Sequence, residues 1–292
     1  MANTSIRFIA LDCDGTLLDP KGQVRPRVRD AVQKALAMGC LVTLATGRRF
    51  PFAKAAADAL GIRTPLVLHG GAVIQDSETG AVVYQDLIPA PVYRRIIDCV
   101  FRHGLQPVVF ESPAAGGRIL TGPEERDTPV ISKYLAMRRS YHRFSFDELV
   151  KRENILSVSL MGDEAPLRRF HEEVSGWGES NPMFNAPSVH VGTAVTWHTV
   201  DILPFGCCKA RAIGYLAGTI GISLAEAMAV GDNLNDLDML EAVGWSVAMG
   251  NAAPAVKAIA SAVVASNAED GVAEAIERFV LGNSNGGSPA NT

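Results

Sequence analysis

The sequence has no apolar stretch long enough to span a membrane, and its N-terminal residues show no basic segment followed by a long apolar one. We therefore expect no membrane anchor and no signal peptide. It also has no long run of basic residues, and its formal net charge is −4, which argues against a nucleic-acid partner. A solvated face or a local anion contact accounts for the adjacent arginine pairs, which are Arg48-Arg49, Arg94-Arg95, Arg138-Arg139 and Arg168-Arg169.

Cysteine is scarce as well. The chain has only five, and no two of them have the C-x-x-C spacing of a zinc or redox site. An odd number of cysteines without that spacing predicts free thiols in a reducing compartment, so we expect a cytoplasmic protein. Cys207 and Cys208 are adjacent, but a vicinal disulfide is strained and rare. We expect these two thiols to be free too.

Strand-like and helix-like segments alternate in the first third of the chain and again near its C-terminus. Apolar runs predict strands at residues 7–11, 40–45, 66–68, 227–230, 246–249 and 263–264. Helical spacing and glycine stop signals predict helices at residues 27–38, 51–60, 209–216, 236–243, 254–260 and 271–281. Such alternation implies right-handed crossovers. The predicted fold class is α/β, with a doubly wound, Rossmann-like parallel-sheet core.

The middle of the chain, from about Leu87 to about Val191, has a different character. It holds most of the aromatic residues, strand-like runs at 106–110 and 155–161, and two or three helices. At 292 residues the chain exceeds a typical single domain. We therefore predict an inserted α+β module, with prolines marking its start and the run 195–200 following its end. The predicted limits are 1–87 and 192–281 for the core, 88–191 for the module and 282–292 for a disordered tail.

Two carboxylates, Asp12 and Asp14, follow the apolar run 6–11 and lead into the tight turn at Gly15. Ligands of open parallel sheets bind beyond the carboxyl ends of the strands. Two nearby carboxylates repel each other, and a divalent cation would offset that repulsion and attract phosphate. The sequence therefore indicates a cation and phosphate site at this edge of the sheet.

Three further polar elements are expected at the same sheet edge, because they also follow predicted strands or begin helices. They are Thr46-Gly47-Arg48, Lys209, and Gly231-Asp232-Asn233-Leu234-Asn235-Asp236. Each alone fits a structural role as well: a turn, a solvated helix residue, or a helix start favoured by its dipole. Four such coincidences in this order favour one shared site over four separate structural roles.

In these motifs and their spacing the chain resembles the phosphatases of the haloacid dehalogenase (HAD) superfamily. It is most similar to the Cof-type members of subclass IIB, which carry a large α/β cap between the second and third motifs. Residues 71–74 and 267–272 also resemble Cof-type segments. One departure is His69-Gly70-Gly71-Ala72, where Cof-type proteins usually have Asn-Gly-Ala. His69 could contact substrate or titrate near neutral pH, although a structural role is favoured.

The resemblance implies Mg²⁺-dependent hydrolysis of small phosphate monoesters, such as sugar phosphates, through an aspartyl-phosphate. Asp12 would be the nucleophile, and Asp14 the general acid and then the base. Lys209 would hold phosphate and lower the pKa of Asp12. The implied residues are Asp12, Asp14, Thr46 and Lys209 for catalysis; Asp12, Asp14 (through its carbonyl), Asp232, Asn235 and Asp236 for the metal and its support; and Thr46, Gly47, Arg48, Arg49, Lys209 and Asn235 for substrate.

Two alternatives stay open from the sequence. One is a phosphohexomutase of the same subclass, which would pass the phosphate to another hydroxyl of a sugar. The other is a non-catalytic protein that binds phosphorylated metabolites, although all five charged catalytic positions are present. In each case we expect a small phosphorylated metabolite as the partner, no nucleic acid or membrane, and a monomer or small homo-oligomer. Specificity is expected in the cap.

Overall fold

The computed structural model describes residues 6–189 and 196–282. The chain divides into two compact units. The first runs to Tyr84 and resumes at Cys208, and the second runs from Gln85 to Cys207. Within the described residues, no helix is long and apolar enough to cross a membrane. All five cysteines are free, as the sequence predicted.

The strands are β1 Phe8–Leu11, β2 Leu41–Leu44, β3 Leu66–Leu68, β4 Val73–Gln75, β5 Val82–Gln85, β6 Pro107–Glu111, β7 Ile119–Thr121, β8 His142–Arg143, β9 Ile155–Gly162, β10 Ser180–Val189, β11 Thr196–Pro204, β12 Ala227–Gly231, β13 Trp245–Ala248 and β14 Ala262–Val263. The helices are α1 Pro26–Ala37, α2 Phe50–Leu60, α3 Ala90–Arg102, α4 Pro129–Ala136, α5 Phe146–Leu149, α6 Glu164–Ser175, α7 Lys209–Thr219, α8 Leu237–Ala242, α9 Pro254–Ile259 and α10 Gly271–Phe279.

A five-stranded parallel sheet lies at the centre of the first unit, in the order β14-β13-β12-β1-β2. From β1 the chain moves outward to β2, and later it moves from β12 outward through β13 to β14 on the other side. The strand order therefore reverses between β1 and β12. In open α/β sheets a ligand site lies beyond the carboxyl ends of the strands at such a reversal. The predicted α/β class with a parallel-sheet core is confirmed.

The predicted strands and helices of this unit are all present, with ends displaced by a few residues. Their patterns are strong because β1 and β3 are fully buried, and because helix α2 stops at a left-handed glycine, Gly61, with φ of 78°. Strands β4 and β5, which form a separate sheet with β3, were not predicted from the sequence. Both are short, and the turn between β3 and β4 contains two positive-φ glycines, Gly70 and Gly71, so no extended apolar run marked them.

The second unit contains a six-stranded sheet in the order β10-β11-β9-β6-β7-β8, antiparallel except between β7 and β8. Successive side chains of β6 face opposite sides of the sheet. Val109 belongs to the cluster formed with α3 and α6, and Val108 and Phe110 to the cluster formed with α4. The described part of the unit has four helices, where two or three were predicted, because α4 and α5 are too short to show a clear helical period.

The predicted domain limits at residues 87 and 191 stay predictions. Residues 190–195, which include the second limit, lie outside the described part of the chain. So does the predicted disordered tail, apart from Gly282.

Phe170 tests the packing of the second unit. It is fully buried on α6 between the sheet and α3, so Phe170→Ala should lower the free energy of unfolding by about 3–5 kcal/mol. Phe205, which is 65% exposed, supplies the control. Phe205→Ala should change the free energy of unfolding by less than about 0.5 kcal/mol. Urea-induced unfolding of both variants measures the difference. Equal losses would contradict the packing described.

Candidate active site

The polar motifs of the first unit meet beyond the carboxyl ends of adjacent strands. Leu11 of β1 pairs with Val230 of β12 and with Leu44 of β2. Asp12 directly follows β1 and Asp232 directly follows β12, so both begin loops at the same edge, and the Asp12 amide donates to the carbonyl of Val230 (3.1 Å). Parallel register thus brings together side chains that are more than two hundred residues apart in the chain.

Lys209 lies at the centre of this site. Its ammonium donates to Asp12 Oδ1 and to Asp236 Oδ1, at 2.6 Å in each case. The Lys209 side chain is 1% exposed. Burial opposes its charge, but the two carboxylates outweigh that effect and raise the pKa of Lys209 above its usual value. The lysine is therefore a buried cation that ties the first motif to the last.

Local structure holds Lys209 at the start of helix α7. The amide of Ala210 donates to Asp238 Oδ2 (2.9 Å), so a carboxylate from α8 satisfies one of the free N–H groups of the helix end. Gly71 packs against the same end, with φ of 106°, and a Cβ there would overlap the carbonyl oxygen of Cys208. The Gly71 segment, singled out from the sequence, therefore supports α7.

Three carboxylates lie together, and two of them, Asp12 and Asp236, accept from Lys209. Oxygen atoms of Asp12, Asp232 and Asp236 lie within 4.8 Å of one another. Burial raises the pKa of Asp12 well above its usual value, and the nearby Asp236 adds to this. Burial likewise raises the pKa of Asp232 to about 6. The predicted effect of Lys209 on Asp12 has the right sign, since the ammonium lowers that pKa, but burial outweighs it.

The donor set fits a hard divalent cation such as Mg²⁺, which binds carboxylate and carbonyl oxygens. Asp12 and Asp232 offer carboxylates, and a cation between them would balance the excess negative charge. Asp236 differs, because Lys209 uses its Oδ1 and the amides of Asp232 and Asn233 both donate to its Oδ2 at 3.0 Å. Its position therefore suits support of the site better than direct metal binding.

Small and hydroxylic residues position Asp232. The Thr16 hydroxyl donates to Asp232 Oδ1 (2.7 Å). Gly15 has φ of 82°, and a Cβ at this residue would overlap the Asp232 carboxylate. The sequence anticipated the turn at Gly15 but not that its missing side chain makes room for the partner aspartate.

Two asparagines hold the first loop: Asn251, which was not selected from the sequence, and Asn267, the first residue of the segment 267–272 that was. Asn251 Nδ2 donates to the carbonyl of Gly15 (2.8 Å), and Asn267 Nδ2 donates to that of Leu18 (2.7 Å). The two are linked, because the Asn267 amide donates to Asn251 Oδ1 (3.0 Å). A signal was present: Asn251 follows β13 at the same sheet edge, where polar residues face the site.

Arg48 pairs with Asp14. Its Nε and one terminal nitrogen donate to the two carboxylate oxygens, at 2.7 and 2.5 Å. The side chain of Asp14 is 63% exposed, whereas Thr46 is buried and its hydroxyl oxygen accepts the amide of Arg48 (3.1 Å). The predicted substrate ligand Arg48 thus contacts the predicted acid–base residue.

The other predicted residues lie around this cluster. Gly47 is exposed, and Arg49 and Asn235 are half-buried. His69 has a positive φ of 50°, and burial together with the charge of Arg49 lowers its pKa to about 3. The idea that His69 titrates near neutral pH is therefore wrong, because both effects disfavour the imidazolium.

Comparison with known proteins shows related chains over nearly the whole length. A family model described as haloacid dehalogenase-like hydrolase matches residues 9–276. Phosphatase YwpJ of Bacillus subtilis (strain 168) is 30% identical over 298 residues, covering 94% of this chain and 100% of that protein. Pyridoxal phosphate phosphatase YbhA of Escherichia coli (strain K12) is 31% identical over 291 residues, covering 94% and 99%.

Among solved structures, the HAD subclass IIB sugar phosphatase BT4131 is similar, with a TM-score of 0.76. The match covers 94% of this chain and 98% of that one, at 22% sequence identity. At this level of identity the likeness is one of fold.

Gly15 and Gly22 form a matched pair for testing the site, because φ is positive at both, 82° and 75°. Gly22→Ala should cost about 1–2 kcal/mol of stability through left-handed strain and leave Mg²⁺ affinity unchanged, since no atom lies within 4 Å of the added Cβ. Gly15→Ala should also displace Asp232 and weaken Mg²⁺ binding by about 10–100-fold. Titration calorimetry measures this, and equal affinities in the two variants would count against the arrangement.

Proposed function

The chain belongs to the haloacid dehalogenase-like hydrolase family and is a phosphatase, and we propose that it hydrolyses small phosphate monoesters through an aspartyl-phosphate, with Mg²⁺ as cofactor. The family resemblance predicted from the sequence is confirmed. The observation that carries the proposal is the buried Lys209 between Asp12 and Asp236, beside Asp232. Positioning and charge neutralisation are the main requirements of phosphoryl transfer.

Asp12 is the proposed nucleophile. Lys209 holds its Oδ1 at 2.6 Å, and the other oxygen, Oδ2, attacks phosphorus while the bond to the leaving oxygen breaks. A water molecule then attacks the aspartyl-phosphate, releasing inorganic phosphate and restoring the carboxylate. Position supports this role, because Asp12 follows β1 directly at the reversal of strand order, where its backbone amide is fixed by β12.

Asp14 is the proposed acid and base. It gives its proton to the leaving oxygen in the first step and takes one from water in the second. Its carboxylate is more exposed than that of Asp12, which suits contact with both the leaving group and water. Arg48 donates to both oxygens of this carboxylate, and we assign it the role of orienting Asp14. When Asp14 carries the proton that it gives, one of these two bonds is released and the other keeps the side chain in place.

Lys209 and Thr46 are the proposed phosphate ligands. An ammonium has three N–H donors, and Lys209 directs two of them at carboxylates, which leaves one for a phosphoryl oxygen. Thr46 contributes its buried hydroxyl. The N-terminus of α7, where Lys209 is the first residue, adds a dipole that favours an anion.

Mg²⁺ is the proposed cofactor, held by Asp12, Asp232 and the backbone carbonyl of Asp14. When bound, it supplies positive charge that binds phosphate and offsets the charge of the carboxylates. Thr16 orients Asp232 through its hydrogen bond to that carboxylate. Asp236 orients Asp12 indirectly, because Lys209 donates to both. Asn235, Gly47 and Arg49 stay predicted supporting or substrate-binding residues.

The proposed substrates are sugar phosphates or similar small metabolites. Names of similar proteins support this class, since YbhA is called a pyridoxal phosphate phosphatase and BT4131 a sugar phosphatase. The cap predicted from the sequence favours small substrates over phosphoproteins. The cytoplasmic location stays a prediction, and so does the assembly state, a monomer or small homo-oligomer.

Asp12→Asn tests the nucleophile. The change is nearly isosteric but removes the attacking carboxylate, so release of inorganic phosphate from a hexose phosphate should fall below about 0.1% of the wild-type rate. Circular dichroism should show an unchanged fold. Asp30→Asn, on the exposed face of α1, should keep full activity. Substantial turnover by the Asp12 variant would remove the assignment, and an isomerised sugar phosphate in place of free phosphate would favour the mutase.

Arg48→Ala tests the orientation of Asp14. Alkyl phosphates need a proton on the leaving oxygen, so their kcat should fall by about 100-fold. p-Nitrophenyl phosphate has a good leaving group, so its kcat should fall by less than about tenfold. Lys34→Ala, at an exposed position of α1, is the control. A raised KM with equal loss for both substrates would show instead that Arg48 binds phosphate, as the sequence predicted.

A further inference from the structure

A cluster of three different metal-binding side chains lies in the second unit, outside the site described above. Cys99 and His103 are four residues apart at the end of α3, so they share one face of that helix. Glu173 reaches them from the last turns of α6. None of the three has a role in the proposed phosphatase reaction.

The ligand atoms of these side chains are close enough to share one ion. The sulfur, an imidazole nitrogen and a carboxylate oxygen all lie within 4.8 Å of one another, and His103 Nε2 is 2.8 Å from Glu173 Oε2. Atoms bound to one tetrahedral zinc ion at about 2.0–2.3 Å are separated by about 3.3–3.7 Å. The observed separations, 2.8 Å for the nitrogen–oxygen pair and at most 4.8 Å for the others, bracket these values.

The chemistry of the donors selects the metal. Thiolate and imidazole are poor ligands for Mg²⁺ and Ca²⁺, which prefer oxygen, whereas zinc accepts sulfur, nitrogen and oxygen together. With one thiolate, one carboxylate and a neutral imidazole, the ligands carry two negative charges. A divalent ion neutralises them.

We propose that Cys99, His103 and Glu173 form a zinc site in the second unit, with water as the fourth ligand. On binding, the S–H bond of Cys99 breaks, a sulfur–zinc bond forms and the proton passes to solvent. The zinc ion replaces the hydrogen bond between His103 and Glu173 and joins α3 to α6. The site is separate in sequence from the carboxylate cluster around Lys209.

The surroundings already fix these ligands. Arg102 holds the other carboxylate oxygen of Glu173 at 2.8 Å, which leaves Oε2 directed at the cluster. Phe170 packs edge-on against the His103 ring, with centroids 5.7 Å apart. Such partners orient metal ligands and strengthen binding. Cys99 is buried, while His103 and Glu173 are 19% and 35% exposed, so an ion and its water have a path from solvent.

Cobalt binding to the full-length protein tests the site. Co²⁺ bound to a thiolate absorbs in the near ultraviolet through sulfur-to-metal charge transfer, which carboxylate sites do not show. We expect this absorption to saturate at one equivalent, and Zn²⁺ to abolish it by displacement. Cys208→Ser, a change at a half-buried cysteine of the first unit, should leave it intact, and Cys99→Ser should eliminate it.

Glu173→Gln keeps the thiol and serves as the second variant, since Cys99→Ser could disturb packing. It should weaken Zn²⁺ binding by at least about tenfold, with an unchanged circular dichroism spectrum. No charge-transfer absorption in the wild-type protein, or absorption that persists in Cys99→Ser, would overturn the proposal. So would unchanged zinc affinity in Glu173→Gln. None of these outcomes bears on phosphatase activity, because the ligands are separate from the proposed catalytic residues.

Discussion

The buried ammonium of Lys209 is the interaction on which the site depends. An isolated charge in the interior is strongly disfavoured, so Lys209 requires Asp12 and Asp236, and each of them requires Lys209. Breaking a buried ion pair by removing one partner typically costs about 3–5 kcal/mol. The ion pairs of Lys209 therefore hold the first motif and the last motif together. The pair with Asp12 also places the proposed nucleophile beside the proposed metal ligands.

The other residues of the cluster fix the position of Asp232 and leave two carboxylates without a full charge balance. Both carboxylate oxygens of Asp236 accept hydrogen bonds, one from Lys209 and the other from two backbone amides. Asp236 therefore fixes the loop that carries Asp232. The missing side chain of Gly15 leaves space for the Asp232 carboxylate, and the Thr16 hydroxyl donates to that carboxylate. Asp12, which is buried, and Asp232, which is half-buried, are left as neighbouring carboxylates with raised pKa values, an arrangement that a divalent cation stabilises.

Much of this could be predicted from the sequence, for physical reasons. Buried strands such as β1 give long apolar runs, and parallel strands place their carboxyl ends together, so convergence of the motifs followed from topology. The partners of individual side chains did not follow. Arg48 grips Asp14, and Asn251 holds the Gly15 loop across more than two hundred residues, because such contacts depend on loop conformation. Likewise the cluster at Cys99 needs α6 to pack on α3, which no local pattern encodes.

The proposed mechanism depends on covalent catalysis by Asp12, which trapping of the phosphorylated enzyme can demonstrate. Asp14→Asn lacks both the proposed acid and the proposed base, so the substrate is p-nitrophenyl phosphate, whose good leaving group depends little on the acid. The second step still lacks its base, so the phosphoenzyme should accumulate when this substrate and Mg²⁺ are mixed and the reaction is stopped with acid. Peptide mass spectrometry locates the phosphate. We predict a phosphate on Asp12. A phosphate on any other residue, or release of p-nitrophenol by the Asp14 variant without any phosphoenzyme, would contradict the mechanism.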